Sequence, residues 1–164
     1  MTEAQVQAAL NAWLASVTGQ PRVITAFPDQ KRPAPPYIST NLIMSGPLYR
    51  NRVDVEFETT GSGEDEQITE HPVRDWFWRF SVFAYGEAPT SILRKAEIAG
   101  EIHTYSQKLR PLSLFETSAI RNVPEVVENA IERRANFDIE IRGLVRDGLV
   151  IDVAETAGVD KTPV

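Results

Sequence analysis

The chain has 164 residues, no cysteine and a formal net charge of −6 at pH 7. A chain of this length can bury a core as one domain, the lack of cysteine excludes a disulfide framework and a thiolate nucleophile, and the acidic balance disfavours nonspecific binding to duplex DNA. We expect one domain over residues 1–155 and a disordered tail over 156–164. No apolar stretch approaches the roughly 20 residues that span a bilayer.

The first predicted element is an amphipathic helix whose apolar residues recur at helical spacing. They are Val6, Leu10, Trp13, Leu14 and Val17. Thr2 and Gln5 form a capping-box pattern at its start, and Gly19 ends it. A short extended piece over 23–27 and an irregular proline-rich turn over 28–36 follow.

Two strands and a hairpin tip are predicted next. The first strand covers 37–44 and ends at 45–47. The second covers 52–60 and alternates apolar with acidic side chains, as a half-buried strand does. Its apolar members are Val53, Val55 and Phe57, and its acidic members are Asp54, Glu56 and Glu58. The turn composition of 60–67 predicts the tip of a long β-hairpin.

The returning strand of that hairpin, over 74–86, carries aromatic side chains on both faces. Alternation places Trp76, Trp78, Phe80 and Val82 on one face, and Phe77, Arg79, Ser81, Phe83 and Tyr85 on the other. A strand of this kind must be covered on both sides. We therefore expect it at the centre of a sheet, with the tryptophan face under the helices and the other face against a neighbouring subunit.

A second helix is predicted over 90–109, ended by Pro111 and followed by extended chain over 112–120. Its apolar stripe consists of Ile92, Ala96, Ala99, Ile102 and Leu109. Residues 124–129 are predicted to form a single turn of helix.

The last long strand is predicted from the alternation of Ala135, Phe137, Ile139 and Ile141 with polar residues. The pair Asp147-Gly148 is a hairpin signal that leads into 149–153. The order of elements predicts an α+β fold: a single, mainly antiparallel or mixed β-sheet with two helices packed on one face and a long β-hairpin.

Local motifs give no support for catalysis, a cofactor or a metal site. His71 and His103 lack the spacing of metal ligands, and the acidic run 64–66 lacks the alternating ligands and the glycine of an EF-hand loop. The sequence contains neither a Gly-x-Ser-x-Gly elbow nor a phosphate-binding glycine loop. We therefore predict no catalytic residue, no cofactor and no metal.

Taken in order, these elements resemble the tail terminator or neck proteins of long-tailed bacteriophages and prophages. The residues that carry the likeness are RPAPPY at 32–37, PVRDWFWRFSV at 72–82, PEVV at 124–127 and ERRANFD at 132–138. The likeness covers about 9–153, and the family's pattern has a proline where Arg133 stands.

The resemblance implies a structural virion protein. Members of the family form a ring, typically hexameric, at the head-proximal end of the tail tube, where the ring stops tube polymerisation and offers a docking surface to neck or head-completion proteins. The implied partners are other copies of the chain, the tube protein and the neck protein. DNA passes through the lumen without specific binding. The implied location is the tail or neck of a virion assembled in the host cytoplasm, with no membrane, cofactor or catalysis.

Two surfaces are predicted to serve such a ring. The subunit interface comprises Phe77, Arg79, Phe83 and Tyr85. The acidic surface near the channel comprises Asp54, Glu56, Glu58, Glu64, Asp65 and Glu66, whose negative charge would repel DNA phosphate and let the DNA slide.

Two alternatives stay open at this point. One is a monomeric ligand-binding or regulatory module with an aromatic pocket around Trp76 and Trp78. The other is a small hydrolase whose carboxylates come from several strands.

Overall fold

The computed structural model describes residues 1–26, 33–50, 53–61, 67–127, 130–146 and the backbone of 149–151. The helices are α1 Glu3–Thr18, α2 Pro89–Glu101 and α3 His103–Ser106, which continues into a 3-10 turn at Gln107–Leu109. The strands are β1 Val23–Thr25, β2 Tyr37–Pro47, β3 Asp54–Thr60, β4 Gln67–Tyr85, β5 Ser113–Thr117, β6 Arg121–Asn122, β7 Glu125–Val127, β8 Ala130–Glu132, β9 Arg134–Arg146 and β10 Leu149–Ile151.

Helix α1 has the predicted boundaries and capping. The Thr2 side chain accepts a hydrogen bond from the Gln5 amide, while the Gln5 side chain accepts one from the Thr2 amide. Gly19 ends the helix in the left-handed region at φ 72°. Trp13 Nε1 donates to the Tyr105 carbonyl at 2.9 Å, which ties α1 to α3.

The main sheet has the order β1-β2-β4-β9-β5, with β4 at its centre as predicted. Strand β1 runs parallel to β2, and the other pairs are antiparallel. The predicted hairpin is also present, because Thr60 pairs with Gln67 where β3 meets β4. The fold is α+β.

Helices α1 and α2 pack on one face of this sheet, which we call the helix face. Its β4 side chains are Trp78, Phe80, Val82 and Ala84, and its β9 side chains are Ala135, Phe137, Ile139 and Ile141. They form one core with the apolar stripes of α1 and α2. Trp78 is 1% exposed, so the tryptophan face lies under the helices as predicted.

The second helix is not continuous, contrary to the prediction of one helix over 90–109. It ends at Glu101, and Ile102 adopts extended backbone before α3 begins. Leu109 lies ten residues after Ala99, about 2.8 turns on, so a continuous helix would turn it away from the core. The break lets Leu109 be buried and leaves Ile102 exposed.

Three smaller predictions were also wrong. Residues 124–127 are not helical, since β7 pairs with β8 through Val126 and Ile131, where β-branched side chains favour a strand. Strand β2 covers Tyr37–Pro47, whereas the predicted strand stops at residue 44. The predicted hairpin between β9 and β10 is absent, because β10 does not pair with β9. Leu149 of β10 pairs with Glu70 of β4, in the same register in which Arg146 of β9 pairs with Val73 of β4. Residues 147 and 148, for which the hairpin turn is predicted, lie outside the described residues.

Strand β4 extends past the helix-covered part of the sheet and forms an arm with its neighbours. The arm consists of β3, residues 67–73 of β4, and β10. Every residue of β3 is exposed, so the prediction of a half-buried strand was wrong. As predicted, apolar and acidic side chains alternate between the two sides of β3. No described part of this chain buries the apolar ones.

Candidate assembly surfaces

The sheet face opposite the helices, here the open face, brings together all four residues of the predicted subunit interface. Alternation along β4 places Phe77, Arg79, Phe83 and Tyr85 there. Tyr85 is 7% exposed, because the Tyr37 ring stacks on it at 4.4 Å between centroids. Phe77, Arg79 and Phe83 are half-buried. No described helix covers them, although Arg134, which lies opposite Tyr85 on this face, forms an ion pair with Glu125 of β7.

An ion network crosses the open face from β4 to β9. Arg79 Nη2 lies 2.7 Å from Glu140 Oε2, and Arg142 Nη2 lies 2.8 Å from Glu140 Oε1. Burial raises the pKa of the Glu140 carboxyl, but hydrogen bonds from the two arginines outweigh it, so the pKa lies below its ordinary value. The hydrogen bond to Glu140 raises the pKa of Arg79. The guanidinium of Arg142 also lies over the Phe115 ring, 3.0 Å from its centroid.

Sequence reasoning missed this network. Glu140 appears in the sequence as one of the polar residues that alternate with the core positions of β9, where a solvated side chain is expected. Only the register, in which Arg79 pairs with Glu140, brings the charges together. Nearby, Asn136 is buried and its Oδ1 has no hydrogen-bond partner among the described residues.

The described part of the predicted acidic surface lies on one side of the arm. Asp54, Glu56 and Glu58 share the open-face side of β3. Arg146 Nε donates to Glu56 Oε2 at 2.9 Å, and this hydrogen bond lowers the pKa of Glu56. His71 Nε2 lies 3.3 Å from Glu58 Oε2. Glu64, Asp65 and Glu66 fall outside the described residues, as does the tail 156–164.

The other side of the arm is largely apolar, and sequence reasoning assigned its β3 residues to the core. Val55 pairs with Pro72, and Thr59 with Ile68, so these residues share the helix-face side with Phe57 and its partner Glu70. Phe57 is 65% exposed. A second exposed apolar set lies on the helices, where Ile98, Ile102 and Tyr105 point away from the sheet. We call the first the apolar side of the arm and the second the helix stripe.

The predicted aromatic pocket around Trp76 and Trp78 is not formed. Trp78 is packed inside the core and Trp76 against it, so the two tryptophans do not line an open pocket. Within the described residues, no three His, Asp or Glu side chains lie close enough to hold a metal ion. The helices that the structure describes are all too short or too polar to cross a membrane.

A comparison with known protein families distinguishes the structural virion protein from the two alternative functions. Residues 4–163 match the family of the phage neck terminator protein. The chain belongs to this family. The match spans the helices, the sheet and the arm, and it agrees with the resemblance inferred from the sequence. This member of the family is therefore a structural protein of the phage tail or neck, located in that part of the virion. No curated protein sequence matches the chain significantly.

Proposed function

We propose that this neck terminator forms a hexameric ring at the head-proximal end of the tail tube. There it ends tube polymerisation and provides the docking surface for neck or head-completion proteins. The observation that carries the proposal is its membership of the phage neck terminator family. The chain has no local catalytic motif that would suggest a different role in the virion.

The open face is the proposed subunit interface. It supports a subunit contact because two aromatic side chains, Phe77 and Phe83, stay partly exposed on a sheet face that no described helix covers. The buried Oδ1 of Asn136 lacks a donor on the same face, and a neighbouring subunit could supply one. Arg79 already forms an ion pair with Glu140, so a neighbour that covers it does not bury an unpaired guanidinium.

The acidic side of the arm is proposed to face the channel. Asp54, Glu56 and Glu58 are exposed, and only Glu56 and Glu58 have a basic partner among the described residues. A ring repeats this charge around its axis, and a repeated negative field keeps DNA phosphates off the wall. The predicted loop acids at 64–66 would add to the same field.

The test is deletion of the gene from the phage, with electron microscopy of the particles. We expect overlong tails or tails that fail to join heads, and restoration by the wild-type chain supplied in trans. Normal virions without the protein would overturn the proposal. Light scattering on the purified chain, alone and mixed with tube protein, measures the subunit number, and a mass other than that of a hexamer would correct the stoichiometry.

A further inference from the structure

The hairpin of β7 and β8 extends the strand layer past the end of β4. Glu125 of β7 pairs with Glu132 of β8. In the same register, Asn122 of β6 pairs with Ala135 of β9. Strand β8 therefore continues the line of β9 beyond the residues of β9 that pair with β4. Among the described strands only β7 pairs with β8, so the other edge of β8 is open.

Strand β4 leaves this edge at Gly86. The Gly86 amide still donates to the Arg133 carbonyl at 3.2 Å, and the chain then turns into α2, which begins at Pro89. Backbone groups of strand residues two apart point to the same side. The N–H and C=O of Ile131 therefore point to the place where β4 would have continued, and no described strand pairs with them there.

A cavity of about 720 Å³ occupies that place, and we call it the strand slot. Ile131 and Arg133 line it on the β8 side, and Pro35 and Pro36, which precede β2, line it on the other. The buried Ile92 of α2 also lines it. Proline has no amide hydrogen, so the β8 side supplies the backbone donor. An open strand edge along one wall of a slot fits an extended segment that adds a strand to the sheet.

The position of the slot favours a second copy of the chain as the source of that segment. Tyr85 and Arg134 form the last pair between β4 and β9 before the slot, and both lie on the open face. Tyr85 belongs to the proposed subunit interface. The slot is therefore continuous with that interface, and a subunit that covers the open face brings its own chain to the slot.

Residues 152–164 are the longest stretch outside the described residues. They follow β10, whose Ile151 pairs with Ile68 near the tip of the arm. Along β4, the distance from Ile68 to Gly86 is about 60 Å at about 3.3 Å per residue. Residues 152–164 span at most about 45 Å when fully extended. They fall short of the slot of their own chain, so only the slot of another copy is open to them.

We propose that the 152–164 segment of one neck terminator pairs with β8 in the strand slot of the next copy. Backbone hydrogen bonds to Ile131 hold the segment, and its valines, Val153 and Val159, are available to pack on Ile92. The donor segment starts at the arm end of β4 and the slot lies at the opposite end, so the contact is head-to-tail and repeats in one direction until a ring closes. This contact rests on the proposed ring and adds the segment that links its subunits.

Cysteine cross-linking in assembled virions tests the contact, because the native chain contains no cysteine. The double variants Ile131→Cys/Thr156→Cys and Ile131→Cys/Thr162→Cys are treated with a short bismaleimide reagent, which tolerates a few ångströms of misplacement. On a denaturing gel we expect a ladder of covalent oligomers from at least one of them. The corresponding single variants, mixed in one ring, should give dimers and no ladder.

Phe115→Cys/Thr162→Cys is the matched control, since Phe115 is exposed on edge strand β5, away from the slot, and it should give no ladder. Virions that contain the protein but give no ladder with either slot pair would overturn the contact and leave the ring intact. A link within one chain, or from residue 131 to the tube or neck protein, would overturn it too. Virions that assemble normally without the protein would instead overturn the proposed function, so the two failures are distinguishable.

Two proline variants separate pairing in the slot from damage to the hairpin. Ile131→Pro removes the N–H that points into the slot, and Val126→Pro removes the N–H that its register partner points away from β8. The two side chains are 72% and 71% exposed. Ile131→Pro should lower the yield of joined virions at least about fivefold, since every contact loses a backbone hydrogen bond, while Val126→Pro should leave it unchanged. Equal yields from the two variants would contradict strand pairing in the slot.

Discussion

Arg79 and Glu140 face each other across the two central strands, with Nη2 of the arginine 2.7 Å from Oε2 of the carboxylate. Glu140 Oε1 is held by Arg142, so one carboxylate pairs with two guanidinium groups on a sheet face that no described helix covers. The side chain of Glu140 is 7% exposed, against 40% for Arg79. The carboxylate is therefore the buried centre of the network and the arginines are its solvent-facing rim.

Glu140→Gln should destabilise the folded chain. The substitution keeps the shape but removes the charge that compensates both arginines, and hydrogen bonds to charged groups contribute about 1.5–3 kcal/mol. Solvent screening at Arg79 places the expected loss at the lower end, about 1–2 kcal/mol. Urea unfolding at pH 7 measures it. Glu101→Gln, an exposed change at the end of α2, is the control and should stay within about 0.5 kcal/mol.

The stability contributed by Glu140 should depend on pH. Its pKa in the folded chain lies below the ordinary value of 4.5, so the folded state favours the ionised form and the contribution is fully present above pH 4.5. It is lost as pH falls from 4.5 through the lower folded pKa. We expect the difference in unfolding free energy between the wild type and Glu140→Gln to shrink over that window. A difference that stays constant into strong acid would contradict the assignment.

Phe57→Ser should leave the monomer stable and impair assembly. The side chain is 65% exposed in the single chain, so the free energy of unfolding should change by no more than about 0.5 kcal/mol. The yield of joined virions should fall, because a large exposed apolar side chain marks an interaction site and the proposed ring buries surface that is exposed in the single chain. Ile43→Ser is the control, since Ile43 is 48% exposed on β2, away from the arm. Equal yields from the two variants would argue against a special role for the arm.

Neutralising the acidic side of the arm should slow DNA ejection. The triple variant Asp54→Asn/Glu56→Gln/Glu58→Gln removes the repulsion between the channel wall and phosphate, and the loss of the exposed Glu56–Arg146 pair should cost little stability. We expect virions in normal number whose DNA release is slower at low ionic strength and approaches the wild-type rate at high salt. Release curves that match the wild type at every salt concentration would place these residues away from the channel.

Patterns within single elements predicted much of this fold. The capping box of α1, the alternation of Ala135 to Ile141 and the burial of Trp78 follow from local spacing, because each element must bury its own apolar face. The exposure of Phe57 could not be predicted, since alternation identifies an apolar side but not whether a helix reaches it. The Arg79–Glu140 pair depends on register, and the break at Ile102 depends on where Leu109 must be buried.

Along one edge, strand β4 keeps a single register from Ile68 in the arm, where it pairs with β10, to Tyr85 at the far end of the sheet, where it pairs with β9. Bending the arm at its base would break hydrogen bonds between β4 and β9, because the same strand belongs to both parts. Folding of the core therefore sets the direction of the arm before any partner arrives. A subunit that meets its neighbour does not have to order this segment, so association loses less conformational entropy than it would with a flexible loop in the same place.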